Sequence, residues 1–211
     1  MYNKSNLKYY YINLNHRTDR NKHMINQFKS YNIKNYERIE GCMFNLNVEN
    51  LNGKTNGRIG CTMSHIKTLE TFINSEYEYC VIFEDDFLFT INKEEYSKKL
   101  EYVFKLNINW DVILFSSNVI SSIPYNNFLH KALNCQTTSS YLVTKKYAEK
   151  LLKNYIEGLN LLKETQQSKY CIDMYWKKLQ PDDNWYVFKP KIGKQMPSYS
   201  DISKGNVNHE C

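Results

Sequence analysis

Short apolar runs that stop abruptly in polar or charged residues alternate along this chain with longer stretches of helical period. That alternation most narrows what the chain can fold into. Leu7 to Leu14 (LKYYYINL) reads as a buried strand ending in a polar turn, and Arg17 to Tyr31 then sets Met24, Phe28 and Tyr31 at helical spacing. Tyr36 to Ile39 is a short second strand, and the Asn-rich stretch Phe44 to Asn56, without clear period, reads as a loop. From Gly57 onward Ile59, Met63, Ile66, Phe72 and Ile73 form one helical face. Tyr79 to Phe83 (YCVIF) is an apolar run followed at once by Glu84-Asp85-Asp86, a strand that ends in three acids. Glu94 to Leu106 reads as a helix, Asp111 to Phe115 as a buried strand and Ser116 to Asn134 as a Ser- and Asn-rich loop. Thr138 to Thr144 is strand-like, Lys145 to Ile156 an amphipathic helix, Ile172 to Leu179 a short helix and Trp185 to Phe188 a last strand before an irregular polar tail. Strands alternating with helices predict an α/β open sheet, mainly parallel, with helices on both faces.

With 211 residues the chain is expected to form a single domain over 1–211, its tail irregular from about 190. A hydrophobic fraction of 42% with 24% charged residues argues against disorder, and 7 Gly with 4 Pro excludes collagen-like and Pro-rich classes. No apolar run reaches the roughly 18–20 residues of a membrane span. The N-terminus carries no apolar signal segment, and the six cysteines show no CxxC pairing, so reduced thiols in a cytoplasmic compartment (host cytoplasm or virion for a viral protein) are expected. The net charge of +6 admits nucleic acid, a membrane surface or a phosphorylated ligand as partner, but the lysines are scattered as on a solvated basic surface and no nucleic-acid-binding motif is visible.

In open α/β sheets ligands bind beyond the carboxyl ends of the strands, which points to Asn13–Arg20, Glu84–Asp86 and Ser116–Asn118. Three acids at a buried strand end repel one another and need a cation, a basic partner or open water. Alternation points Glu84 and Asp86 the same way for as long as the strand continues, and hard oxygen ligands suit Mg²⁺ or Mn²⁺. Two of only four arginines, Arg17 and Arg20, follow the first strand. Their planar donor forks suit phosphate, and the plain alternative is a pair of exposed charges in a first helical turn. Gly57 to His65 (GRIGCTMSH) reads as the opening of a helix, where backbone N–H groups favour anions and where Ser64 and His65 reach a ligand. His65 is either an acid–base group or a packed, hydrogen-bonded histidine. Asp173 sits at a helix start, as an N-cap or as a functional acid. His209, in the tail, is a late metal ligand or has no role.

The series YYINLNHRTDR, YERIEG, GRIGCTMSHIKTLE and CVIFEDDFLF, followed by SSYLVTKKYAEKLL, IDMYW and PSYSDIS, resembles glycosyltransferase family 25 from about Tyr10 to Ser203. That family includes lipopolysaccharide-sugar transferases and collagen hydroxylysine galactosyltransferases. The resemblance implies a GT-A fold, in which a nucleotide-sugar-binding sheet carries an acidic motif for a divalent cation, normally Mn²⁺. It implies a UDP-sugar donor and a hydroxyl acceptor on a glycan or protein. It assigns Asn13, Leu14, Arg17 and Arg20 to the donor-side first turn, and Gly60, Ser64 and His65 to the second motif. Glu84, Asp85 and Asp86 match the acidic motif, with Asp86 and Asp85 as metal ligands. Asp173 matches the acid of the later helix, and Ser200, Asp201 and Ile202 the terminal SDI. The expected activity is metal-dependent, inverting transfer of a hexose, galactose or glucose, with Asp173 as general base. The alternative is an inactive module of the same fold that binds a nucleotide sugar or glycan.

Overall fold

The computed structural model describes residues 6–45, 53–106, 108–200 and 205–207. Strand β1 (Leu7–Asn13) leads into helix α1 (Thr18–Ser30) and strand β2 (Tyr36–Glu40). Helix α2 (Gly53–Ile73), strand β3 (Tyr79–Glu84), the short strand β4 (Phe87–Phe89) and helix α3 (Lys93–Lys105) follow. Two long strands, β5 (Val112–Pro124) and β6 (Leu129–Thr144), then run into helix α4 (Lys145–Thr165). The described chain ends with helix α5 (Ile172–Tyr175), a 3₁₀ turn (Trp176–Leu179), and strands β7 (Trp185–Phe188), β8 (Gly193–Gln195), β9 (Ser198–Ser200) and β10 (Gly205–Val207).

The main sheet has the order β2-β1-β3-β6-β5-β7. β1 is parallel to both β2 and β3, and β5 is parallel to β7. β6 alone is reversed, antiparallel to β3 and β5. The expected mainly parallel α/β sheet is therefore present, with one inverted strand in its middle.

The two faces of β3 show why its run is apolar throughout. Val81 and Phe83 pack with Met24 and Phe28 of α1 and with Tyr96, Leu100 and Val103 of α3. Cys80 and Ile82 pack with Leu69 and Phe72 of α2, Leu151 and Tyr155 of α4 and Trp176 beyond α5. A strand covered on both faces has no polar alternation, and each such side chain contributes about 1.5–3 kcal/mol of burial. Asn92 caps α3 by accepting from the Glu95 N–H at 2.8 Å, and Thr144 caps α4 by accepting from the Tyr147 N–H at 3.2 Å.

Several boundaries differ from expectation. The Ser- and Asn-rich stretch from Ser116 is no loop: β5 continues to Pro124 and β6 begins at Leu129. Register shifts between Leu114 and Ser116, and again before Ser122, break the period-two pattern that would have marked it as strand. α4 runs on past Ile156, because Leu159 and Leu162 bury against Ile59 of α2. The tail after Pro190 contains β8, β9 and β10, and β8 pairs with β4 immediately after the acids. α2 begins at Gly53 rather than Gly57; of the expected loop before it, residues 46–52 lie outside the described residues. No helix among the described residues is long and apolar enough to cross a membrane.

Candidate active site at the carboxyl ends of β1 and β3

Because β1 and β3 are parallel neighbours, with Ile12 opposite Glu84, the chain leaves both strands side by side. That register joins two motifs far apart in sequence. Asp85 accepts from Asn13 Nδ2 at 2.7 Å through one oxygen and from Arg20 Nη1 at 2.8 Å through the other. The same Arg20 nitrogen lies 3.2 Å from Asp86 Oδ2, so one guanidinium in the first turn of α1 straddles both acids. The residue is 8% exposed, and the two carboxylates offset the cost of burying its charge.

Asn13 is itself held in place. Its Oδ1 accepts from Arg38 Nε of β2 at 2.9 Å, and its Nδ2 also reaches the Arg17 carbonyl at 3.0 Å. Arg38 further donates to Asn15 Oδ1 at 2.7 Å. Arg17 makes a two-pronged contact with Asp19, at 3.1 and 2.9 Å, and that hydrogen bonding holds the Asp19 carboxyl down to about 2. The Leu14 carbonyl accepts from the Arg17 N–H at 2.9 Å, closing the turn.

Glu84 is the last residue of β3 and turns to the opposite face from Asp85. The strand stops there, so Glu84 and Asp86 do not share an orientation by alternation; they are linked instead by Gln195 of β8, whose Nε2 lies 3.3 Å from Glu84 Oε2 and 3.4 Å from Asp86 Oδ1. Glu84 Oε1 collects three further neighbours: Thr138 Oγ1 of β6 at 2.5 Å, His65 Nε2 of α2 at 3.3 Å and Cys61 Sγ at 3.9 Å. His65 Nδ1 in turn meets the Tyr141 hydroxyl at 3.0 Å.

The second motif occupies the middle of α2 and not its first turn. Its backbone N–H groups are spent inside the helix, so the expected anion-binding helix start is not at Gly60. Gly60 serves close packing: a Cβ there would lie 2.5 Å from the Cys42 carbonyl oxygen. Ser64 donates to the Gly60 carbonyl at 2.7 Å and accepts from the Cys42 N–H at 2.8 Å, pinning that same segment. His65 is fully buried and reaches the site through Glu84.

Asp173 lies in the first turn of α5 but is not its cap, which is Cys171. Its Oδ2 accepts from the Thr137 N–H at 3.2 Å. Thr137 holds a φ of 91°, a left-handed conformation that a β-branched residue adopts only under strain. Thr137 and Thr138 thus tie Asp173 and Glu84 to consecutive residues of β6. His209, Asp201 and Ile202 lie outside the described residues, as does the side chain of Ser200.

Four carboxyls in one region shift one another. Burial raises Asp86, the charge of Glu84 raises it further, and despite Arg20 it stands at about 7. Burial also lifts Asp85 and outweighs Arg20 and Asn13. Asp173 is raised by burial, with the Glu84 charge adding to it. Burial pushes Glu84 up too, but the hydrogen bonds from His65 and Thr138, with the charges of His65 and Arg20, hold it below the ordinary carboxylate range. The Cys61 thiol is driven far up by burial and then by Glu84 and Asp173.

Arg38, Thr138, Tyr141 and Gln195 escaped the sequence reading. Arg38 alone carried a signal, as one of the four arginines in a lysine-rich chain.

The family model described as "Glycosyltransferase family 25 (LPS biosynthesis protein)" matches residues 6–166. Among solved structures, a glycosyltransferase involved in the glycosylation of the major capsid of PBCV-1 is similar, with TM-score 0.54 and 13% identity over 94% of this chain and 96% of that one. A197 from STIV aligns with TM-score 0.48 and 11% identity over 97% of this chain and 99% of that one. No curated protein matches in sequence. The match over residues 6–166 takes in β1, α1, α2, the acidic motif and α4 together, and on it the chain belongs to glycosyltransferase family 25.

Proposed function

We propose that this chain is a hexosyltransferase of the GT-A type that moves galactose or glucose from a UDP-sugar to a hydroxyl of a glycan or protein, with inversion and with a divalent cation. The observation that carries the reading is the convergence of Asp85, Asp86 and Arg20 at the ends of two parallel strands, with Asp173 held nearby through β6. Such a strand end is where open α/β sheets take their ligands.

The donor set fits a hard cation. Asp85 is oriented by Asn13 at one oxygen and Arg20 at the other, and Glu84 by Thr138 and Gln195, each oxygen keeping a lone pair. Among the described residues Asp86 meets Arg20 at 3.2 Å and Gln195 at 3.4 Å, so its carboxylate retains lone pairs beside the Glu84 and Asp85 carboxyls. Asp86, with Asp85 as second carboxylate, would hold Mn²⁺ or Mg²⁺, and the cation would neutralise charge on the departing diphosphate.

The chain's own residues supply the rest. Arg20, anchored on Asp85, carries the donor fork for a phosphate oxygen. Arg38 and Asn13 keep the first turn in place. Asp173 accepts the proton of the acceptor hydroxyl while that oxygen bonds to the anomeric carbon and the carbon–phosphate oxygen bond breaks, its electron pair leaving with UDP. Burial and the Glu84 charge raise the affinity of Asp173 for that proton. General-base help of this kind is worth about 10²–10⁴ in rate.

The test is turnover with stereochemistry. UDP release over a panel of UDP-hexoses and hydroxyl acceptors identifies the donor, and NMR of the product is expected to give a β-linkage from an α-linked donor. Asp173→Asn is expected to lose about 10²–10⁴ in kcat with donor affinity retained. A near-normal rate in a folded Asp173→Asn would reject it as base, and UDP binding with no transfer to any acceptor would favour the binding module.

A further inference from the structure

We infer that Cys61, His65 and Glu84 form a second metal site, for a thiophilic divalent cation of the zinc class, distinct from the Asp86 cation. The three donor atoms, one sulfur, one nitrogen and one oxygen, lie within 4.8 Å of one another. Cys61 and His65 stand four residues apart on α2, so a rigid helix presents both from one face, and Glu84 meets them from the end of β3.

The distances also fit three ligands of one tetrahedral ion. A charge-assisted hydrogen bond between imidazole and carboxylate closes to about 2.7–2.9 Å; His65 Nε2 and Glu84 Oε1 stand 3.3 Å apart. Tetrahedral zinc with N and O ligands at about 2.0–2.2 Å separates them by about 3.3–3.5 Å, and separates S from O by about 3.5–3.7 Å. The observed sulfur–oxygen distance is 3.9 Å, which a small turn of the half-buried Cys61 side chain closes. The outer shell is also built. The Tyr141 hydroxyl engages His65 Nδ1 and so turns Nε2 toward Glu84, while Thr138 donates to the ligating oxygen and fixes the carboxylate. A water would complete a tetrahedral shell. Thiolate softness selects zinc or cobalt over Mn²⁺ or Mg²⁺, which prefer oxygen. Binding releases the Cys61 thiol proton to solvent and leaves the His65 proton on Nδ1, where the Tyr141 oxygen accepts it.

The experiment uses the full chain, stripped with EDTA and titrated with Co²⁺. Expected are one equivalent bound, a thiolate-to-cobalt charge-transfer band in the near ultraviolet, displacement by Zn²⁺ and persistence in excess Mn²⁺. Cys61→Ser is expected to abolish the band and to weaken Zn²⁺ by at least about tenfold, and Tyr141→Phe to weaken it about 10–100-fold. Asp86→Asn is expected to keep the band, which separates this site from the donor-side cation: a lost sugar-transfer reading leaves the band untouched. On the unmutated chain, Zn²⁺ is expected to protect Cys61 from alkylation, read by mass spectrometry. Absence of a thiolate band at saturating Co²⁺, its persistence in Cys61→Ser, or equal alkylation of Cys61 with and without Zn²⁺ would overturn the site.

Discussion

Replacing Asp86 by asparagine should make the metal-free protein more stable at alkaline pH. The carboxyl is 14% exposed, close to Glu84 and Asp85, and stands at about 7 against an ordinary 3.8. A folded-state value above the unfolded one means that the native protein holds a proton that the unfolded chain has lost. That contribution to stability is complete below about pH 4 and disappears as pH climbs to about 7. At about 1.4 kcal/mol for each tenfold change in proton affinity, the gap between 3.8 and 7 sets an upper figure on the order of 4 kcal/mol. Asp85 and Asp173 are raised and act in the same direction, whereas Glu84 is lowered and opposes them. Subtracting the variant from wild type reads Asp86 together with its interaction with Glu84 and Asp85. Urea unfolding in EDTA at pH 5 and pH 8 should show an advantage of Asp86→Asn that grows by about 1–3 kcal/mol between the two. Mn²⁺ should reduce that advantage at pH 8 by binding the native wild type. A difference that does not change with pH, or a variant less stable at pH 8, would refute the reasoning.

Three further outcomes follow from the geometry. Gly60→Ala sets a methyl 2.5 Å from the Cys42 carbonyl oxygen, a backbone atom, and should cost about 1–3 kcal/mol in urea unfolding. Asn92→Ala removes the side chain that accepts from the Glu95 N–H at the start of α3 and should cost about 1 kcal/mol in the same assay, with no change in UDP binding. Arg20→Met strands Asp85 and Asp86 without their shared cation; it should destabilise by about 3–5 kcal/mol at pH 8 and by clearly less at pH 5, where the raised carboxyls take up protons.

The strands that build the site were legible because their covering is two-sided. Tyr79 to Phe83 is apolar without interruption because α1 and α3 cover one face and α2 and α4 the other, and the run ends where the acids begin. The parallel pairing of β1 with β3 then follows from α/β alternation, and with it the meeting of Arg20 and Asp85. β5 and β6 were not legible beyond Ser116, since their bulges and many hydroxyl side chains erase the two-residue period. The helical period of α2 is visible in the sequence but its start is not, and Gly60 and Ser64 pack against Cys42 inside a longer helix instead of facing a ligand from a first turn. The partners of the acids were hidden for a different reason. Gln195 reaches Glu84 across 111 residues and Thr138 reaches it across 54, and no local pattern encodes such meetings.

Asp86 and its neighbours are proposed to receive a diphosphate through a divalent cation. Calorimetric titration of UDP into the EDTA-stripped chain, with and without added Mn²⁺, tests it most directly when repeated on Asp86→Ala. Binding that needs Mn²⁺ and is lost in the variant is the predicted result. Binding of equal strength in EDTA, or in Asp86→Ala with Mn²⁺, would contradict it.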